Sequence, residues 1–209
     1  REITRRTGTL LIIDETHTIC AGPGGCTAAH GLQPDIVTVG KPLGSGIPGA
    51  VYGFSAALAE RARAISAGET ADVGGIGGTL AGNALSIAAM RATLTHVLTE
   101  QAYQHTIPLA QRFTAGVQAV IDEFRLAWHI NRLGCRAEYW FCAFPPRNGG
   151  EANAAVDAEM DNYMHLAALN RGILMTPFHN MALFCPAHTE ADVDRHTQVF
   201  RESVAALVG

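Results

Sequence analysis

The sequence predicts an α/β fold: the end of a large parallel-sheet domain, followed by a smaller α+β domain. Three observations predict it. Short apolar, β-branched runs end in polar residues at Asp14 and at Gly40-Lys41, as buried parallel strands do. Glycine-rich loops alternate with helix-length apolar patterns over the first hundred residues. From about residue 126 the texture changes to short strands with helices between them. The predicted boundary lies near residue 100, giving a part of the large domain over 1–100 and a small domain over 101–209.

Taken in order, Arg1 to Arg6 reads as the closing turns of a helix, with Gly8 as its stop. The sequence thus reads as opening inside an element, as a fragment or a chain lacking its N-terminal part would. Leu10 to Asp14 is the first strand, and residues 20–34 are loop around Gly22-Pro23-Gly24-Gly25. Ile36 to Val39 is the second strand. Ala50 to Gly53 is the third, after a Gly/Pro turn, and Ser55 caps a helix to about Ile65. Residues 66–78 form a second glycine-rich loop, and a helix follows from Leu80 to about Leu98. Its apolar residues cover more than one face, which predicts burial.

A further helix carries Tyr103, Ile107, Ala110, Val117, Ile121 and Phe124 at helical spacing, with a kink or restart at Pro108. Strands are expected near 127–131, 136–143, 173–176 and 181–185. Helices are expected over 152–170 and 190–207, the last capped by Thr189.

Composition narrows the function classes. The 209 residues are 48% hydrophobic and 16% charged, a globular balance. A net charge of −4 gives no basis for a nucleic-acid or anionic-membrane partner. No apolar run approaches a membrane span. The five cysteines make no CxxC and are odd in number, so a reducing cytoplasm is the simpler setting. The nine histidines form no HExxH, and no metal site is expected. Of fifteen basic residues only Lys41 is a lysine. A Schiff base through a side-chain amine has no other residue to use.

An acid (Asp14), a lysine (Lys41) and a Gly-Gly-Thr (Gly77-Gly78-Thr79) follow one another at strand ends and at a helix start. In open parallel sheets ligands bind at strand ends. Pro42 pushes Lys41 away from helical geometry, which predicts an extended residue at a strand tip. A confined lysine amine loses its proton more readily and can condense with an aldehyde. A carboxylate such as Asp14 can keep a pyridine nitrogen protonated, which makes the ring an electron sink. Backbone N–H groups and a hydroxyl at a helix start, as at Gly78 and Thr79, suit a phosphate. Plainer readings stand beside these: a surface lysine, a strand-end cap at Asp14, and a simple helix N-cap at Thr79. Arg136 offers a fork for a substrate carboxylate, and Glu138 beside it offers an ordinary ion pair instead.

At these residues the sequence resembles the class-III pyridoxal-phosphate aminotransferases. Asp14-Glu15-Thr16-His17-Thr18 is similar to their D-E-V-x-T segment. Val39 to Gly46 is similar to their cofactor-lysine segment. Gly77-Gly78-Thr79-Leu80-Ala81-Gly82-Asn83 resembles the G-G-T-x-x-G-N stretch of glutamate-1-semialdehyde aminomutases. The resemblance implies PLP fold type I, the aspartate-aminotransferase-like fold, in a homodimer. It implies pyridoxal 5'-phosphate bound through Lys41, with Asp14 on the pyridine nitrogen, Thr16 on the ring face and His17 near the 3′ oxygen. It implies that Gly78 and Thr79 reach the phosphate of the partner subunit's cofactor. The substrates would be a small-molecule amino donor and acceptor in a transaminase. In an aminomutase the amino group would move within one molecule, and a third reading is a non-catalytic fragment. Thr16 departs from the family's usual valine, and the family's other phosphate segment and ring-stacking aromatic lie N-terminal to this sequence.

Overall fold

The computed structural model describes residues 1–66, 77–177 and 179–209. Most of the expected glycine-rich loop, including Gly74 to Ile76, lies outside the described residues. The chain divides into two compact units, Arg1–Glu100 and Gln101–Gly209.

Unit 1 runs α1 (Glu2–Thr7), β1 (Ile12–Asp14), a single 3-10 turn (Thr18–Ala21), α2 (Gly25–Ala29) and β2 (Ile36–Val39). A second 3-10 turn (Lys41–Gly44), β3 (Val51–Phe54), α3 (Ala56–Ser66) and α4 (Ala84–His96) follow. The sheet order is β1-β2-β3. β1 and β2 are parallel, with Asp14 opposite Thr38. β3 is antiparallel, with Val39 opposite Val51. The parallel-sheet expectation stops at β2 for a physical reason. Residues 40–50 hold only one 3-10 turn, too little chain for the crossover that a parallel neighbour needs.

Two details of α4 differ from expectation. The helix starts at Ala84, where the Asn83 side chain accepts the Leu85 and Ser86 N–H groups at 3.1 Å. Gly82, at φ 74°, breaks the helical path before it, so Thr79 lies in a turn ahead of the helix and is not its cap. The expected burial of its apolar residues is also absent: Leu85 is 65% exposed and Leu94 54%, while Thr93 is buried.

Unit 2 is built from α5 (Glu100–Glu123), the antiparallel strands β4 (His129–Leu133), β5 (Arg136–Trp140) and β6 (Met181–Leu183), α6 (Gly149–Ala154), α7 (Ala158–Leu169) and α8 (Glu190–Val208). The sheet order is β4-β5-β6. Helix α5 runs through Pro108 without the expected restart. Pro108 and Gln104 are both exposed, so the carbonyl that proline leaves unpaired faces water. The helix expected over 152–170 is two helices, because Asp157 caps a new start by accepting the Met160 N–H at 3.0 Å. Residues 173–176 form no strand; the described residues offer them no neighbouring strand to pair with. Thr189 and Asp192 form a capping box at the start of α8, as the sequence indicates. Gly116 lets α5 and α8 approach closely, since a Cβ there would run into the Thr197 side chain. Phe113, Val117, Tyr139, Val193, Phe200 and Val204 fill the core between helices and sheet.

Candidate active site

The strand ends of β1 and β2 set the geometry. The Glu15 N–H donates to the Thr38 carbonyl at 2.8 Å, which extends the parallel ladder one step beyond Asp14. The chain then turns, and Thr16 bridges the two strand ends. Its N–H donates to Asp14 Oδ1 at 2.8 Å, and its Oγ1 accepts the Gly40 N–H at 3.0 Å. Hydrogen bonds from the Thr16 hydroxyl, the Thr16 N–H and the Thr38 hydroxyl hold the Asp14 carboxyl below the usual carboxylate range. It stays ionised wherever the protein is folded near neutrality.

Lys41 follows directly on β2. The expected extended backbone is not what forms. Lys41 begins the 3-10 turn at φ 35°, a left-handed conformation uncommon for a residue with a Cβ. Pro42 disfavours the right-handed helical region at Lys41 but favours an extended backbone, so it does not by itself produce the left-handed one. Such backbone costs about 1–3 kcal/mol and persists only where surrounding contacts enforce it. The Lys41 Nζ lies 2.5 Å from His17 Nε2. An ammonium only donates, so when Lys41 is protonated Nε2 accepts and the ring proton sits on Nδ1. Asp14, Thr16, His17 and Lys41 therefore converge at adjacent strand ends.

Gly78 and Thr79 are exposed in a turn before α4, at φ 78° for Gly78. A Cβ on Gly78 would meet nothing, so its backbone is open to a ligand or a neighbouring chain. Arg136 and Glu138 lie on the same face of β5 in unit 2 and pair at 2.9 Å; His179 Nδ1 approaches the other carboxylate oxygen at 3.2 Å. Among the described residues no group of acids, histidines and cysteines could hold a metal ion, and no helix is long and apolar enough to cross a membrane.

Glu15 is a residue that sequence reasoning passed over. It is 1% exposed. Its carboxylate accepts from the Thr18 hydroxyl, the Thr27 N–H and, at 3.0 Å, the Cys26 N–H. Burial opposes the charge, but these donors outweigh it and leave the carboxyl below its ordinary value. Gly25, at φ 63°, is required here, because a Cβ would collide with that carboxylate. Glu15 thus fixes the loop that presents Asp14, Thr16 and His17. The signal for it was an acid directly after Asp14 and a glycine cluster ten residues on, but only the folded loop joins them.

The model of the class-III aminotransferase family matches residues 1–203. The chain belongs to the class-III aminotransferases. Among curated relatives it is 34% identical over 211 residues to the glutamate-1-semialdehyde 2,1-aminomutase of Thermomicrobium roseum, covering 99% of this chain and 47% of that one. It is 34% identical to that of Sorangium cellulosum, covering 98% and 46%. Among solved structures, a glutamate-1-semialdehyde aminomutase from Pseudomonas aeruginosa, a lysine-to-alanine variant in complex with PMP, is 51% identical with a TM-score of 0.95 over 99% of this chain and 47% of that one. A β-phenylalanine aminotransferase from Variovorax paradoxus is 25% identical with a TM-score of 0.86, over 99% and 46%. The fold is that of the C-terminal half of the PLP fold type I enzymes, and the chain spans about half the length of the relatives it matches.

Proposed function

We propose that this chain carries the lysine-bearing part of a pyridoxal-phosphate site, in a protein that transfers amino groups. The observation that carries the reading is the 2.5 Å approach of Lys41 to His17 beside an ionised Asp14 at the ends of β1 and β2. The donor set fits the cofactor: an amine for its aldehyde, a carboxylate for its pyridinium, and an imidazole for a phenolic oxygen. When bound, pyridoxal phosphate supplies an electron sink for the carbanion at a substrate's Cα.

In this reading Lys41 is the catalytic residue. Its amine would hold the cofactor through the aldehyde carbon, and would accept and return the proton at the substrate's Cα. His17 would lie near the cofactor's 3′ oxygen, within reach of Lys41 Nζ. Asp14 would hold the ring nitrogen protonated, and Thr16 would lie against the ring face. Gly78 and Thr79 bind the phosphate in the partner subunit of a homodimer, where their exposed turn is free to reach. Arg136 exchanges Glu138 for a substrate carboxylate, which its bidentate fork can bind equally well. The odd number of cysteines and the absence of a CxxC pair suit a reducing cytoplasm.

Two reactions share this machinery. A transaminase passes the nitrogen to a second substrate, and an aminomutase moves it within one. The aminomutase names of the relatives at 31–34% identity and of the 51% structure favour the second. The test uses the full-length protein with pyridoxal phosphate. A visible absorbance band that borohydride abolishes, and that Lys41→Ala never develops, is expected. A band retained in Lys41→Ala contradicts the reading. Turnover of a single amino-aldehyde substrate without an acceptor identifies an aminomutase; dependence on an added keto acid identifies a transaminase.

A further inference from the structure

We propose that Thr93, buried in the last turn of α4, is a positioning residue for Lys41 and acts through Ser45. The inference rests on the reading of Lys41 as the cofactor lysine.

The 3-10 turn that carries Lys41 is bracketed by two left-handed residues, Lys41 at φ 35° and Ser45 at φ 46°. Neither is a glycine, so neither end of the turn takes this conformation by local preference. The turn's own hydrogen bonds are long: Leu43 N–H to Gly40 O and Ser45 N–H to Pro42 O are both 3.3 Å. Something outside the turn must hold it. Leu43, its middle residue, is 3% exposed and anchors the apolar side. The polar anchor is on α4.

Thr93 is 3% exposed. Its Oγ1 donates to the Ala89 carbonyl at 3.0 Å, which uses its single proton. The 2.8 Å contact between Thr93 Oγ1 and Ser45 Oγ therefore has Ser45 as donor and Thr93 as acceptor. Two neighbours on the same helix support the contact. Ser86 Oγ donates to the Pro48 carbonyl at 2.7 Å. Met90 lies against Gly49, where a Cβ would sit 3.4 Å from its sulfur. Helix α4 thus grips the chain from residue 45 to residue 49, immediately after the lysine turn. Of these contacts only the Ser45–Thr93 bond reaches a strained residue of the turn itself. Losing it lets Ser45 relax out of the left-handed region, and Lys41 then samples directions away from His17 and Asp14.

The test measures capture of pyridoxal phosphate by the full-length protein, by stopped-flow absorbance and by borohydride fixation. Thr93→Val keeps the shape of the side chain and removes the acceptor. Ser45→Ala removes the donor at an exposed residue. Each is expected to slow capture about fivefold, the equivalent of one ordinary hydrogen bond. The double variant should be no slower than either single one, because both remove the same bond. Thr93→Ser should capture at the wild-type rate. Hydrogen exchange at the Ser45 and Ile47 amides should quicken in Thr93→Val and not in Thr93→Ser, a change that general loss of stability would not confine to this turn. Wild-type capture in either single variant, or a double variant slowed by the product of the two, overturns the inference while leaving Lys41 as the cofactor lysine. A wild-type protein that captures no cofactor overturns both.

Discussion

In unit 2 the buried apolar side chains run from Tyr103 to Val204 and include Phe113, Val117, Tyr139, Val193 and Phe200. In unit 1, among the described residues, the buried apolar side chains are Cys20 and Leu43, while Leu80, Leu85, Ile12 and Tyr52 are largely exposed. Within the described residues of this chain, the two units are therefore held by different means. Unit 2 is ordered by close-packed apolar contact, in which Phe113, Phe184, His196 and Phe200 meet ring to ring. Unit 1 is ordered by hydrogen bonds to a few anchoring polar groups: Glu15 under one strand end, Thr16 between two, Thr93 behind the lysine turn. The difference teaches where the chemistry sits. Strand ends presented by polar anchors leave room for a ligand, and a packed core does not.

The comparison predicts an asymmetry in how the units respond to substitution. Phe113→Ala, at a site 1% exposed, should cost about 3–5 kcal/mol in thermal or denaturant unfolding. Leu85→Ala, at a site 65% exposed, should stay within about 0.5 kcal/mol in this 209-residue chain. Equal costs at the two positions break the comparison.

Acid should strike unit 2 through His196. Burial holds its imidazole at about 4, below the ordinary 6.5. The unfolded chain then binds this proton first, so stability is complete above about pH 6.5 and falls as pH drops toward 4. The loss should reach about 3 kcal/mol and then level off. Unfolding measured across this range should show the slope, and His196→Leu should flatten it.

Unit 1 should respond most to its anchors. Glu15→Gln sets an amide where Cys26 and Thr27 also present donors, and should cost about 1–3 kcal/mol. Hydrogen exchange should then quicken over residues 15–27, with α5 and α8 unaffected. Among the anchors the smaller effect belongs to Thr16→Val. It removes the hydroxyl that donates to Asp14 and accepts the Gly40 N–H, and carboxyl NMR should find the Asp14 titration moved up toward its ordinary value. An unmoved titration removes Thr16 from the account.

Features that depend on local chemistry were legible in the sequence. The β2 strand at 36–39 follows from its β-branched residues, and the Thr189 cap from its spacing to Asp192. Asp14 and Lys41 stood out because each ends a strand in a motif. Features set by distant contacts were not legible. Nothing near Thr93 announces Ser45, 48 residues away. The left-handed φ of Lys41 runs against the extended backbone that Pro42 favours, so local sequence points away from it. Helix α4 reads as buried from its apolar content, yet the described residues leave that content exposed, because periodicity reports what a face could bury and not what covers it.

The most direct test of the account is the position of covalent attachment. Full-length protein incubated with pyridoxal phosphate, reduced with borohydride and digested should yield one pyridoxyl-bearing peptide, with the added mass on Lys41. Attachment at another amine, or a Lys41 peptide that stays unmodified while the protein retains amino-transfer activity, contradicts it.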